Sequence, residues 1–122
     1  SVGKYMSVFP YSLESNATIA DAEELMQEHQ VRHLPVMNGK DLIGVLTDRD
    51  IRSAKAWGAK RDDPIREAYT AYSYTCSPYT SLKHVASVMR KNKYGCAIVT
   101  EDGEVLGIFT WVDALKVLED LL

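Results

Sequence analysis

GVLTDRD at residues 44–50 and GIFTWVD at residues 107–113 carry a glycine, a threonine and an aspartate in the same order. Gly44, Thr47 and Asp50 correspond to Gly107, Thr110 and Asp113, and the two positions after each glycine are apolar. The glycines stand 63 residues apart (107 less 44), and sliding the chain by that amount needs no gap. Thr18 then falls on Ser81, Ile19 on Leu82, Ala22 on Val85, Leu25 on Val88 and Met26 on Met89. Val31 meets Tyr94, Leu34 meets Ala97, Pro35 meets Ile98, Val36 meets Val99, and Leu42-Ile43 meets Val105-Leu106. Identities are few but apolar character persists, as expected when one supersecondary unit occurs twice.

Each half has the same grammar. TIADAEELMQEH places Ile19, Ala22, Leu25, Met26 and His29 at helical spacing, and Thr18 with Asp21 three residues on is a capping-box signature. HLPVM, NGKD and LIGVLT then read as two short strands around a turn, a hairpin. DRDIRSAKAW resumes helical character, with Asp48 or Thr47 as its cap. In the second half, a helix over Ser81 to about Lys91 leads to strand CAIVT, turn EDGE, strand VLGIFT and a helix over WVDALKVLEDLL. Val112, Leu115, Leu118 and Leu122 are expected on one face of that last helix. Ahead of each unit lie a one-turn segment, KYMS or REAYT, and an extended piece, YSLES or YTCSP. Residues 52–68, with Trp57, Gly58 and the Asp63-Pro64 break, are the join.

One such unit exposes too much apolar surface to stand alone, so two copies at this length are expected to share a core. The fold class is therefore α/β (α+β): a pseudo-twofold pair of repeats, each a short sheet packed against two helices, with the free sheet faces lining a cleft between the copies. Residues 1–61 form repeat one with its N-terminal segment and the joining helix, residues 62–122 form repeat two, and together they make one compact domain.

The bulk composition agrees. At 122 residues, 46% hydrophobic and 25% charged, the chain has the size and balance of a single soluble domain. A net charge of −3 argues against a surface built to neutralise phosphodiesters, so nucleic acid is not an expected partner. No apolar run approaches a membrane span and the N-terminus lacks signal-peptide character, which reads as a cytoplasmic chain, free-standing or part of a larger one. Cys76 and Cys96 form no CxxC pair and read as buried, reduced thiols. His29, His33 and His84 have no metal-ligand spacing, so no metal is expected.

VRHLPV ahead of LIGVLTDRDI, and VLGIFTWVDAL in the second half, make each copy resemble a CBS domain, the motif named for cystathionine β-synthase. The whole chain, over residues 4–122, resembles a tandem CBS pair or Bateman module. The resemblance implies a binding module, not an enzyme, that takes an adenosine-containing ligand (AMP, ADP, ATP or S-adenosylmethionine) in clefts between the repeats. It also implies a homodimer and an attached or partner enzyme or transporter that is regulated. No cofactor is required; an adenine nucleotide is the expected ligand.

By this resemblance Asp50 and Asp113 accept the ribose hydroxyls, a task suited to an ionised carboxylate because charged acceptors make the stronger hydrogen bonds. Thr47 and Thr110 stand where unpaired backbone N–H groups and the helix dipole favour an anion, and would cap the empty helix and help hold a phosphate. Arg32 and His33 are further phosphate candidates in copy one, with Arg49 and Lys93 as weaker ones. The adenine slot falls to Leu13, Ala17 and Val31 in copy one and to Cys76, Thr80, Tyr94, Gly95 and Cys96 in copy two. Arg32 and His33 against Gly95 and Cys96 predict two sites of unequal taste for phosphate.

Simple capping and dipole compensation are the alternative for the Thr and Asp pairs. Trp57 and Trp111 read as packing anchors at a helix-rich interface, and MRKNK at 89–93 as a solvated helix end. The alternative function is a structural or dimerisation module with no physiological small ligand. Catalysis lacks its minimum constellation, a nucleophile with its base, a carboxylate pair or a metal cluster.

Overall fold

Every element anticipated from the repeat is present in the computed structural model, which describes residues 1–8, 11–71 and 74–122. In chain order these are a 3-10 turn over Val2–Lys4, β1 (Ser7–Val8), β2 (Leu13–Glu14), α1 (Ile19–His29), β3 (His33–Asn38), β4 (Asp41–Thr47) and α2 (Asp48–Ala56). A second 3-10 turn over Ile65–Glu67 follows, then β5 (Thr75–Cys76), α3 (Leu82–Asn92), β6 (Cys96–Glu101), β7 (Glu104–Thr110) and α4 (Trp111–Leu121).

Local chemistry explains the boundaries. The Asp21 N–H donates to the Thr18 hydroxyl at 3.1 Å and the Thr18 N–H donates to the Asp21 carboxylate at 3.0 Å, the reciprocal box that satisfies two orphan donors of α1. Ser81 caps α3 through the His84 N–H. Both helices stop on a left-handed residue, Gln30 at φ 54° and Lys93 at φ 59°, which occupy the same position of the repeat. The hairpins turn on Gly39 at φ 61° in one copy and on Asp102-Gly103 at φ 51° and 81° in the other, as tight two-residue loops demand.

Two sheets result, of order β2-β3-β4 and β1-β7-β6-β5. In each, the hairpin is antiparallel and the short extended piece joins it in parallel: Leu13 lies opposite Val36, and Cys76 opposite Val99. A register shift falls after Val36 and again after Val99, so even the irregularity is repeated.

The segments preceding each repeat are exchanged. Strand β1, which precedes copy one, pairs with β7 of copy two, Ser7 opposite Ile108. Thr70, which precedes copy two, bridges Val45 of copy one through hydrogen bonds of 3.0 and 3.1 Å. Gly44 and Gly107 explain why these crossings need glycine. A Cβ on Gly107 would lie 2.6 Å from the Ser7 carbonyl oxygen and from Met6 Sδ, and one on Gly44 would collide with the Thr70 carbonyl oxygen. By contacts the chain divides into two compact units, Tyr11–Ser73 and Ser1–Pro10 with Tyr74–Leu122.

Each unit holds its own cluster of buried side chains. Leu13, Ile19, Leu34, Val36, Leu46 and Ile65 lead the first; Val2, Val85, Ala97, Val99 and Phe109 lead the second. Ile65 and Val2 occupy equivalent positions, and both are wholly buried. Each arrives on the 3-10 turn of an exchanged segment and fills the cluster it joins, which supplies the apolar burial a single repeat lacks. Among the described residues no helix is long and apolar enough to cross a membrane.

Candidate functional site

Thr47 and Thr110 end their strands in extended conformation and open α2 and α4. In copy one the Thr47 N–H donates to Asp50 Oδ2 at 2.9 Å and the Asp50 N–H donates to the Thr47 hydroxyl at 3.0 Å. Asp50 is half-buried, and among the described residues nothing donates to its Oδ1. In copy two the Thr110 N–H donates to Asp113 Oδ2 at 2.9 Å, with the Thr110 hydroxyl 3.3 Å from the same oxygen. Asp113 is only 8% exposed, and its Oδ1 accepts a hydrogen bond from the Ser7 hydroxyl at 3.1 Å. Each carboxylate is thus anchored on one oxygen by the backbone of its own cap. They differ in what meets the other oxygen.

Around Asp50 the hairpin end gathers charge. His33 lies opposite Thr47 across β3 and β4, and the Asp48 N–H donates to the Arg32 carbonyl oxygen at 3.1 Å. Burial holds the His33 pKa below its ordinary value although the carboxylates of Asp48 and Asp50 pull it upward, and Arg32 adds to the lowering. His33 is therefore neutral at neutral pH, and of the two basic candidates only Arg32 brings a permanent cation. Asp48 bonds Arg52 at 3.1 Å and accepts from the Arg49 N–H at 2.9 Å. Burial alone would raise its carboxyl, but Arg52 and Arg49 together hold it below the usual range. Arg49 and Lys93, the weaker candidates, are both exposed.

Around Asp113 the same positions are apolar. Cys96, opposite Thr110, is buried, and burial pushes its thiol up to about 12; Cys76 is half-buried, less enclosed than expected, and its thiol is also raised. Tyr94 stacks on Tyr74 with ring centroids 5.8 Å apart and packs against the core cluster. Trp111, expected to anchor packing at a helix-rich interface, is 61% exposed in this chain, and its indole N–H donates to the Tyr94 carbonyl oxygen at 3.0 Å. Trp57 is freer still, at 91%.

The backbone edges assigned to adenine are partly spent. The Ala17 N–H donates to Glu14 and the Ala17 carbonyl accepts from Ile65; the Thr80 N–H donates to Ser77 and the Thr80 carbonyl accepts from Val2. Only the second lone pair of each carbonyl is left for a base. Leu13 sits in the buried cluster, and Val31 and Tyr94 both spend their N–H on the last turn of the preceding helix.

Arg32, His33, Thr47 and Asp50 are thus brought together in copy one, and Cys96, Thr110 and Asp113 in copy two. Sequence reasoning missed Ser7 on Asp113 and Asp48 beside His33. The signal for Ser7 was its fall on Thr70 in the same 63-residue slide, hydroxyl on hydroxyl. An open groove of about 310 Å³ between α1 and α2 is lined by Glu23, Met26, Gln27, Asp48, Ile51 and Arg52, and takes in none of the predicted site residues. Among the described residues no cluster of three His, Cys, Asp or Glu is placed to hold a metal.

A model of the CBS domain matches the chain twice, at residues 2–56 and 61–120. The chain belongs to the CBS domain family. As a tandem CBS pair it resembles inosine-5′-monophosphate dehydrogenase of Staphylococcus aureus, at 27% identity over 114 residues. Those residues are 90% of this chain and 22% of the dehydrogenase, so the CBS pair spans about a fifth of that relative's length. The CBS domain pair of protein MJ0100, solved in complex with 5′-methylthioadenosine and S-adenosyl-L-methionine, superposes with a TM-score of 0.88 at 29% identity, covering 96% of this chain and 98% of that one. CBSX2, solved in complex with AMP, has a TM-score of 0.85 over 99% of this chain and 97% of its own. Its identity is 21%, and that likeness speaks for the fold alone.

Proposed function

We propose that this CBS pair is a cytoplasmic regulatory module that senses an adenosine-containing ligand, AMP, ADP, ATP or S-adenosylmethionine. The observation that carries the reading is the matched pair of carboxylates. Asp50 and Asp113 each stand in the first turn of a helix with Oδ2 tied to a threonine N–H at 2.9 Å, which sets the direction of each carboxylate and leaves Oδ1 of Asp50 open and that of Asp113 on the Ser7 hydroxyl. A ribose diol is a two-donor group that such an acceptor suits. The adenosyl ligands of the MJ0100 pair support the same class.

Within this reading Thr47, Thr110 and Arg32 serve phosphate, with His33 a neutral hydrogen-bonding partner. Leu13, Ala17 and Val31 serve adenine in copy one; Cys76, Thr80, Tyr94, Gly95 and Cys96 do so in copy two. Occupancy is read by an attached or partner enzyme or transporter, and the module works as a homodimer. It requires no cofactor and catalyses nothing itself. The exposed apolar side of α4 favours one other reading, a dimerisation module without a physiological ligand.

Calorimetric titration with the four ligands separates the two. Binding by at least one of them, weakened tenfold or more in Asp50→Asn or Asp113→Asn, is the expected result. Absence of heat and of thermal shift with all four would leave the dimerisation module.

A further inference from the structure

Asp113 already holds a hydroxyl. The Ser7 hydroxyl donates to its Oδ1 at 3.1 Å, while Oδ2 accepts from the Thr110 N–H at 2.9 Å and from the Thr110 hydroxyl at 3.3 Å. An ionised carboxylate has about four acceptor positions, so these bonds leave about one open. Asp50 accepts from the Thr47 N–H alone among the described residues, at 2.9 Å, which leaves about three. A vicinal diol brings two donors. Asp50 can take both as it stands, whereas Asp113 can take both only by giving up a donor it has. Exposure runs the same way: Asp50 is half-buried and Asp113 is 8% exposed, although Ser7 beside it is exposed. The contrast does not come from the path of the backbone. Thr70 falls on Ser7 in the 63-residue slide and meets Val45, which falls on Ile108, the residue opposite Ser7. One crossing, made twice, therefore puts a hydroxyl on the carboxylate in one unit and, among the described residues, not in the other.

We infer that Ser7 is a resident stand-in for a ribose hydroxyl at Asp113, so that an adenosyl ligand fills the Asp50 site first and reaches Asp113 only in exchange for the Ser7 hydroxyl. The exchange is open to the fold because β1 is a two-residue strand at the edge of its sheet, with both residues exposed. Turning Ser7 to another staggered rotamer withdraws the hydroxyl from Asp113, and the pairing of β1 with β7, made by backbone groups, stays intact. A hydrogen bond to a charged group is strong enough to weaken a competitor by about tenfold or more, which is the handicap expected at Asp113. The same bond keeps a buried carboxylate paired while no ligand is present. This deepens the proposed function and rests on its two ribose-accepting carboxylates.

Site-counting calorimetric titrations with AMP, ADP, ATP and S-adenosylmethionine test it. With whichever of the four bind, the unaltered chain is expected to take one tight equivalent, weakened about tenfold or more by Asp50→Asn. Ser7→Ala is expected to take two, and Ser7→Thr, which keeps the hydroxyl, one. Ser7→Ala together with Asp50→Asn retains one equivalent, and adding Asp113→Asn removes it. Ser7→Cys, whose thiol is a weak donor, repeats the comparison should Ser7→Ala fail to fold. Two equivalents of like affinity in the unaltered chain, a single equivalent indifferent to Asp50→Asn, or no gain at Asp113 in either Ser7 variant overturns the Ser7 exchange and leaves the proposed function standing. No heat from any of the four overturns the proposed function itself, and the exchange with it.

Discussion

The hydroxyl of Ser7 donates to Oδ1 of Asp113 at 3.1 Å, 106 residues away in sequence. Thr70 holds the equivalent place ahead of repeat two and crosses Val45 as Ser7 crosses Ile108, yet among the described residues it makes no hydrogen bond to Asp50. The two ribose acceptors proposed here are therefore in different states. Asp113 is buried and held on both oxygens; Asp50 is half-open and held on one.

Removing that hydroxyl should be felt as lost stability. Ser7→Ala leaves one oxygen of a buried carboxylate without a donor, a loss of about 1–3 kcal/mol. At this size each kcal/mol lowers the melting temperature by roughly 3–5 °C, and Ser7→Thr should restore it. Thermal melts of the two variants check this, and an unchanged midpoint for Ser7→Ala would remove Ser7 from the account.

The two crossing glycines should resist the smallest substitution. Gly107→Ala drives a methyl into the Ser7 carbonyl, and Gly44→Ala drives one into the Thr70 carbonyl and the Tyr69 ring. Backbone meets each new carbon, so neither can be relieved by a rotamer change, and a cost of about 1–3 kcal/mol or more is expected in urea unfolding. Gly58→Ala, with open space around its Cβ but φ at 105°, should be penalised through the backbone alone.

Acid should weaken the fold through His33. Burial sets its folded pKa below the ordinary 6.5, so between that depressed value and about 6.5 the unfolded chain binds more protons than the folded one. Stability is then complete above 6.5 and is lost as pH falls through the window. His33→Gln should flatten this part of the pH–stability curve, as read by denaturant midpoints from pH 7.5 to 5. An equally steep curve in the variant would assign the dependence to other groups.

The left-handed helix ends leave room for improvement. Gln30 and Lys93 hold φ near 54° and 59° with a Cβ that this region penalises by about 1–2 kcal/mol. Gln30→Gly and Lys93→Gly should each raise stability by about 0.5–1 kcal/mol once the greater entropy of glycine is subtracted, visible as a higher urea midpoint.

Local order was legible in the linear chain because its causes are local. Thr18 with Asp21, Thr47 with Asp50 and Thr110 with Asp113 are three residues apart, within reach of one helical turn, and the repeat doubled every signal. The paired carboxylates and the hydroxyls beside them could therefore be named with their helices. Charge state was less accessible, since His33 looks basic until its burial is known.

By itself the sequence determined the helix–strand–strand–helix unit, its duplication at 63 residues, the caps and the turns, all set by spacing and side-chain type over a few neighbouring residues, and it carried the resemblance to CBS domains. Only the tertiary structure decided that Ser7 meets Asp113, that Ile65 and Val2 complete clusters other than those of the repeats they precede, and that α4 shows apolar side chains to solvent where α2 shows charge. The reason is physical. A glycine at 44 or 107 announces that backbone comes close, but which backbone arrives depends on contacts between residues far apart in the chain, and those are chosen by burial of the whole cluster rather than by any local preference.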